Sequence, residues 1–208
     1  MRTNRVWSVL LGLAIVLETR VSMAAGGESK PKPGGPGVIV YVRQDNLLVA
    51  DLGRAERTAT GIFAGIGVPV VFRAGVERKS NREGAVSIEM QLDAKTPAQF
   101  HAGAMAYAMP FGASGTSIHV FCDRVLNTSP DGGTGTILGH VMAHEIAHVL
   151  EGVSRHSAEG VMKARWEPPD YRQMKSGTLP FDPTDAELIH AGLEKMATQS
   201  ARAEPPPR

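Results

Sequence analysis

The chain has 208 residues, of which 42% are hydrophobic, 21% charged and only 5% aromatic. That apolar share suits a single folded domain and excludes both a wholly disordered chain and a multi-pass membrane protein. With residues 1–24 set aside, 19 basic and 20 acidic side chains remain. A near-neutral domain of this kind offers no electrostatic footprint for DNA, RNA or an anionic membrane surface.

Arg2 and Arg5 precede a mostly apolar run over residues 6–17, and Ser22-Met23-Ala24 puts small residues at both key positions of a cleavage site. A basic start, a short apolar run and a small-x-small exit predict a secretory signal peptide over 1–24. The run is too short for a comfortable membrane span, which takes about 20 apolar residues. An uncleaved anchor is the alternative. The expectation is bacterial export, to the periplasm or the medium, with no stable membrane insertion after cleavage.

Residues 25–37 form a Gly/Pro-rich linker, residues 38–200 the domain, and 201–208 a tail with three prolines that is expected to be disordered. The β-branched run at 38–42 predicts a strand, and 48–66 a helix weakened by Gly53, Gly61 and Gly65. Residues 70–73, 85–92 and 117–125 predict three further strands. Alternation of Val86, Ile88 and Met90 with Ser87, Glu89 and Gln91 makes the second of these wet on one face. The stretch 93–115, with Pro97 and Pro110, is expected to be a long loop. A turn cluster at 128–133 leads to a strong helix over 135–151, then an irregular segment, then a helix from Thr184 to about residue 199 with Thr184 and Glu187 as its capping box. The order predicts an α/β (α+β) domain built on one mixed, twisted sheet with an active-site helix and a C-terminal helix.

The lone Cys122 excludes an intramolecular disulfide, and its apolar surroundings predict a buried, inert thiol. Chemistry concentrates further on. His144-Glu145-Ile146-Ala147-His148 places two imidazoles a helical turn apart on one face, as one Zn²⁺ requires. Glu145 is rotated by about 100° from His144, so it can meet a water at the metal without being a ligand. His140 and Glu151 extend the same polar stripe, opposite an apolar face of Leu138, Met142, Ile146, Val149 and Leu150. Gly152 can end the helix in a left-handed turn and let His156 approach as third ligand; Glu151, Glu159 and Glu167 are the competing candidates. Three neutral imidazoles with one open position form a catalytic rather than a structural zinc site.

The run from His144 to Met162 resembles the metzincin signature H-E-x-x-H-x-x-G-x-x-H with its following Met-turn, in the matrixin-like branch. It departs from the pattern in two places: Glu151 stands where the family has glycine, and the third histidine comes two residues late. The resemblance implies a small metzincin-like catalytic domain in which His144, His148 and His156 bind one catalytic Zn²⁺, Glu145 is the general base and Met162 packs beneath the metal. It further implies a secreted zinc-dependent endopeptidase, cleaving protein or peptide substrates through a zinc-activated water, with the substrate laid along an edge strand. The strand at 117–125 is the candidate edge. A monomer is expected. Two other readings stay open: a catalytically silent zinc-binding or interaction module of the same fold, and a zinc hydrolase of a non-peptide amide. His140 is expected to be buried and structural, His101, His119 and His190 to be ordinary residues, Trp166 to pack the irregular segment, and Tyr171 to be a remote candidate for transition-state hydrogen bonding.

Overall fold

The computed structural model describes residues 37–44, 51–76, 85–100, 103–112, 115–128 and 133–203. The signal-peptide segment, nearly all of the linker, the last five residues, His101 and most of the 128–133 turn cluster lie outside the described residues. Strand β1 (Val38–Gln44) leads to helix α1 (Leu52–Ala64) and strands β2 (Val70–Ala74) and β3 (Val86–Asp93). Next come β4 (Ala106–Gly112), β5 (Gly115–Phe121), α2 (Cys122–Thr128), α3 (Thr134–Glu151), α4 (Pro168–Ser176) and α5 (Pro183–Ala203). The architecture is the expected α+β arrangement, one mixed sheet flanked by helices.

The five strands run in the order β2-β1-β3-β5-β4. All neighbours are parallel except β4 and β5, which pair antiparallel. Strand alternation divides the sheet as the sequence pattern requires. Val38, Val40, Val42, Val86, Ile88, Met90, Leu92, Ile118 and Val120 are buried in one core with the helices. On the reverse face Ser87 and Glu89 are half-buried, but Gln91, expected to be wet, is buried and accepts from Arg43 Nε at 3.0 Å.

Several expectations need correction. The 93–115 stretch is not a plain loop, because residues 106–112 form β4. Its small residues and Pro110 hide the strand, and a strand paired on one side only can carry a proline. Since β4 is the edge, β5 lies inside the sheet and the proposed edge strand at 117–125 is misplaced. Its last residues, from Cys122, instead begin α2. The segment before the last helix also contains α4, which starts on Pro168 and Pro169 and buries only Met174, so it has almost no apolar periodicity to betray it. Finally, α5 is capped two residues earlier than expected. The Asp185 amide donates to Asp182 Oδ1 (2.7 Å) and the Asp182 amide to Asp185 Oδ2 (3.2 Å), with Pro183 opening the helix. The box is Asp182 with Asp185, not Thr184 with Glu187.

Helix α3 lies at the centre, against α1, α5, the sheet edge at β4 and β5, and α4. Gly192 of α5 makes the tightest of these contacts: a Cβ there would stand 1.6 Å from the Leu150 carbonyl oxygen. No side chain fits, so glycine sets how closely α5 approaches the end of α3.

Candidate metal centre

Helix α3 ends as its sequence predicts. Gly152 adopts φ 66°, and its amide donates to the His148 carbonyl at 3.1 Å. The turn sends the chain back towards the helix, and His156 arrives beside His144 and His148. Their ring centroids lie 4.6 Å apart for His144–His148, 5.3 Å for His144–His156 and 4.9 Å for His148–His156. One nitrogen from each of the three imidazoles lies within 4.8 Å of the other two. Glu151, Glu159 and Glu167, the alternatives for the third position, do not join this group; His156 does.

The tautomers follow from the partners. His144 Nδ1 faces the Val161 carbonyl oxygen at 2.8 Å, so that nitrogen carries the proton and Nε2 presents a lone pair. His148 Nε2 lies 3.0 Å from His144 Nε2. The two Nε2 atoms thus face one another across the space in which a cation would be held. Tetrahedral zinc, with nitrogens at about 2.0–2.1 Å, holds its ligand nitrogens roughly 3.3 Å apart, close to the 3.0 Å between His144 Nε2 and His148 Nε2. The donor set fits zinc.

Electrostatics agree with this use. Burial, with a smaller contribution from the neighbouring histidines, pushes His144 down to about 4, and burial and His156 lower His148, so both rings are held neutral as ligands must be. Burial alone pushes the Glu145 carboxyl up to about 7, the range in which a carboxylate can both take and return a proton near neutral pH.

The rest of the predicted polar stripe is sealed off. His140 is fully buried: its Nδ1 donates to Thr136 O (2.8 Å), and its Nε2 accepts the Leu179 amide (3.0 Å). It is structural, as expected. Glu151 is also buried, and neither of its oxygens finds a hydrogen-bond partner. Of the predicted polar stripe, only His144, Glu145 and His148 keep part of their surface accessible. Met162 is fully buried below this turn, and its carbonyl accepts the Ser157 amide at 2.9 Å. Trp166 sets its ring edge-on to His140 and His144 at 6.2 and 6.0 Å, and Tyr171 stands edge-on to Trp166 at 6.4 Å. His190 bonds the Ile66 carbonyl at 2.8 Å. His119 donates to Asp93 (2.8 Å) and stacks on Tyr107, beside an open cavity of about 470 Å³. Neither belongs to the triad.

One buried group bonded to the neighbours of His156 escaped the sequence reading. Asp185 is fully buried and accepts hydrogen bonds from both neighbours of His156. The signal was the Asp182-Pro183-Thr184-Asp185 spacing, a capping pair whose second member has a free oxygen to offer.

No family model and no curated protein matches the sequence. Among solved structures the fold is similar to that of archaemetzincin from Methanopyrus kandleri, with 14% sequence identity, a TM-score of 0.50, and coverage of 79% of this chain and 98% of that one. The likeness is one of fold. A fold similar to that of archaemetzincin thus brings together three histidines that could hold a metal ion.

Proposed function

We propose that the protein is a zinc-dependent endopeptidase in which His144, His148 and His156 hold one Zn²⁺ and Glu145 is the general base. The observation that carries this reading is the convergence of three imidazoles, one nitrogen of each within 4.8 Å of the others, with the half-buried Glu145 next to the first of them on the same helix. Zinc, when bound, supplies Lewis acidity, polarising the scissile carbonyl and acidifying water. Glu145 takes the proton from the attacking water and passes it to the departing amine nitrogen. His144, locked by Val161, keeps its lone pair aimed at the centre throughout. Strand β4, unpaired on its outer side among the described residues, supports extended peptide binding by strand addition, with β5 as its inner partner.

A closed, silent zinc site would need a fourth protein ligand. Among the described residues no further His, Cys, Asp or Glu joins the triad, which favours an open position and hence turnover. A non-peptide amide would meet the same machinery, and only substrate profiling separates it from a peptide. Export belongs to the proposal on the strength of residues 1–24, and N-terminal sequencing of the mature protein should begin at Ala25. Among the described residues no helix is long and apolar enough to cross a membrane.

The test is cleavage of an unbiased peptide library by the zinc-loaded domain, with Glu145→Ala alongside. Wild-type cleavage, reduced by about 10²–10⁴ in the variant while zinc stays bound, is the expected result. Silence from both proteins with one zinc bound would refute the peptidase and move the binding module ahead.

A further inference from the structure

The three histidines are not held in the same way. His144 is fixed by its own hydrogen bond to Val161, and both it and His148 ride on a buried helix. His156 is exposed, sits on a loop, and among the described residues its imidazole makes only ring contacts. Its position must come from the chain on either side of it.

Both sides are tied to one carboxylate. Arg155 donates through Nη1 to Asp185 Oδ1 at 2.5 Å, and Ser157 donates through Oγ to the same oxygen at 2.6 Å. Arg155 Nη2 closes the ring with a 3.1 Å bond to Ser157 Oγ. Asp185 is 0% exposed and Ser157 8%. Asp185 Oδ2 remains engaged with the Asp182 amide in the first turn of α5, where the helix dipole favours a negative charge. Beyond His156, the Ser157 amide is pinned to Met162 O. A buried charge with three charged or polar donors at short range is rigid, and removing any one donor leaves the carboxylate less compensated.

The geometry points to Asp185 as the positioning residue for the third metal ligand: it clasps Arg155 and Ser157 and thereby holds His156 at the metal centre from the C-terminal helix. This rests on the triad being a zinc site, as proposed above. It explains how a loop longer than the metzincin spacing still delivers its histidine. The extra length is taken up by a clasp anchored on α5.

The experiment measures zinc affinity by chelator competition in wild type, Asp185→Asn, the pair Arg155→Ala/Ser157→Ala, His156→Ala, and each clasp change combined with His156→Ala. The Arg155/Ser157 pair matters because it opens the clasp while leaving the Asp182–Asp185 cap intact. Clasp variants should bind zinc about 10–100-fold more weakly, the usual effect of losing a group that orients a ligand. In the His156→Ala background the same changes should add less than about twofold, because nothing is left to position. Equal losses in both backgrounds, or unchanged affinity in the clasp variants, would overturn the assignment. Hydrogen exchange on the metal-free proteins gives a second readout: residues 153–158 should exchange faster in the clasp variants while α3 stays protected. Unchanged protection over 153–158 would also overturn it. Absence of peptide cleavage with zinc bound counts against the peptidase alone, whereas failure of the wild type to take up zinc overturns both.

Discussion

His144 Nδ1 and the Val161 carbonyl, 17 residues apart in sequence, are joined by a 2.8 Å hydrogen bond. That bond fixes the tautomer of His144, and it also fastens the turn carrying Met162 to the centre of α3. Val161 is held from its other side as well, its amide donating to Pro180 O at 2.9 Å. The segment after α4 therefore braces the turn, and the turn braces the histidine. A site that looks local in sequence is supported by three separate stretches of chain.

The same segment depends on His140, which accepts the Leu179 amide and donates to Thr136. Replacing it by leucine leaves that amide buried and unpaired, at about 1–3 kcal/mol. The loss should be greatest at pH 8. Burial lowers the His140 pKa from its ordinary 6.5, so on acidification the unfolded wild type binds the proton first and the native wild type loses stability below pH 6.5. His140→Leu lacks that penalty, and its deficit should shrink between pH 8 and pH 5.5 in urea unfolding. A deficit that grows on acidification would contradict the assignment of His140 as a neutral structural group.

Gly192→Ala tests the packing of α5 on α3. The added methyl would fall 1.6 Å from Leu150 O, and backbone cannot yield as a side-chain tip can, so the two helices must separate. Overpacking of this kind costs about 1–3 kcal/mol or more. Because Asp185 sits on the same helix, zinc affinity should fall together with the unfolding midpoint. An unchanged midpoint would show that the contact is looser than the structure has it.

What the sequence made legible followed from local rules. Val38, Val40 and Val42 announced β1, alternation in 86–91 announced β3 and its core face though not the burial of Gln91, and Gly152 marked the end of α3 by a conformation it does adopt. The first two histidines and Glu145 were readable because i, i+4 spacing on a helix is itself a geometric statement. His156 was readable only as one of several candidates, since a loop has no period. The missed elements share a different property. Strand β4 is rich in small residues and contains Pro110, while α4 buries a single side chain, so neither carries an apolar repeat. The Asp185 clasp spans 28 to 30 residues and exists only after α5 has docked.

Cys122 should be chemically silent in the native state. Its side chain is buried, and burial with the nearby Asp93 and Asp123 carboxylates pushes the thiol up to about 11, so almost no thiolate exists at pH 8. A chromogenic disulfide reagent should titrate no thiol in buffer and one in denaturant. Rapid reaction of the folded protein would show that the start of α2 opens readily.

Among the described residues Glu151 is a buried carboxyl with no hydrogen-bond partner, and it carries a stability prediction with a sign. Burial first, then repulsion from Asp185 and Asp182, raises it from 4.5 to about 7 against a smaller opposing pull from Arg155. Below pH 4.5 the group is protonated whether the chain is folded or not. Between 4.5 and 7 the folded protein retains a proton that the unfolded chain releases, so this group's contribution to stability falls as pH rises through that window. Above pH 7 the fold bears a buried, unpaired charge. Glu151→Leu removes the charge at similar volume, and Arg155 keeps its ion pair with Asp185. The metal-free variant should therefore be more stable than wild type by about 1–3 kcal/mol at pH 8, a range bounded by the size of the shift. At pH 5 the gain should be much smaller, since wild-type Glu151 is then largely protonated in the fold. Urea unfolding at the two pH values decides the matter. A gain independent of pH would attribute it to packing rather than to charge, and a loss at pH 8 would show that Glu151 has a partner in solution.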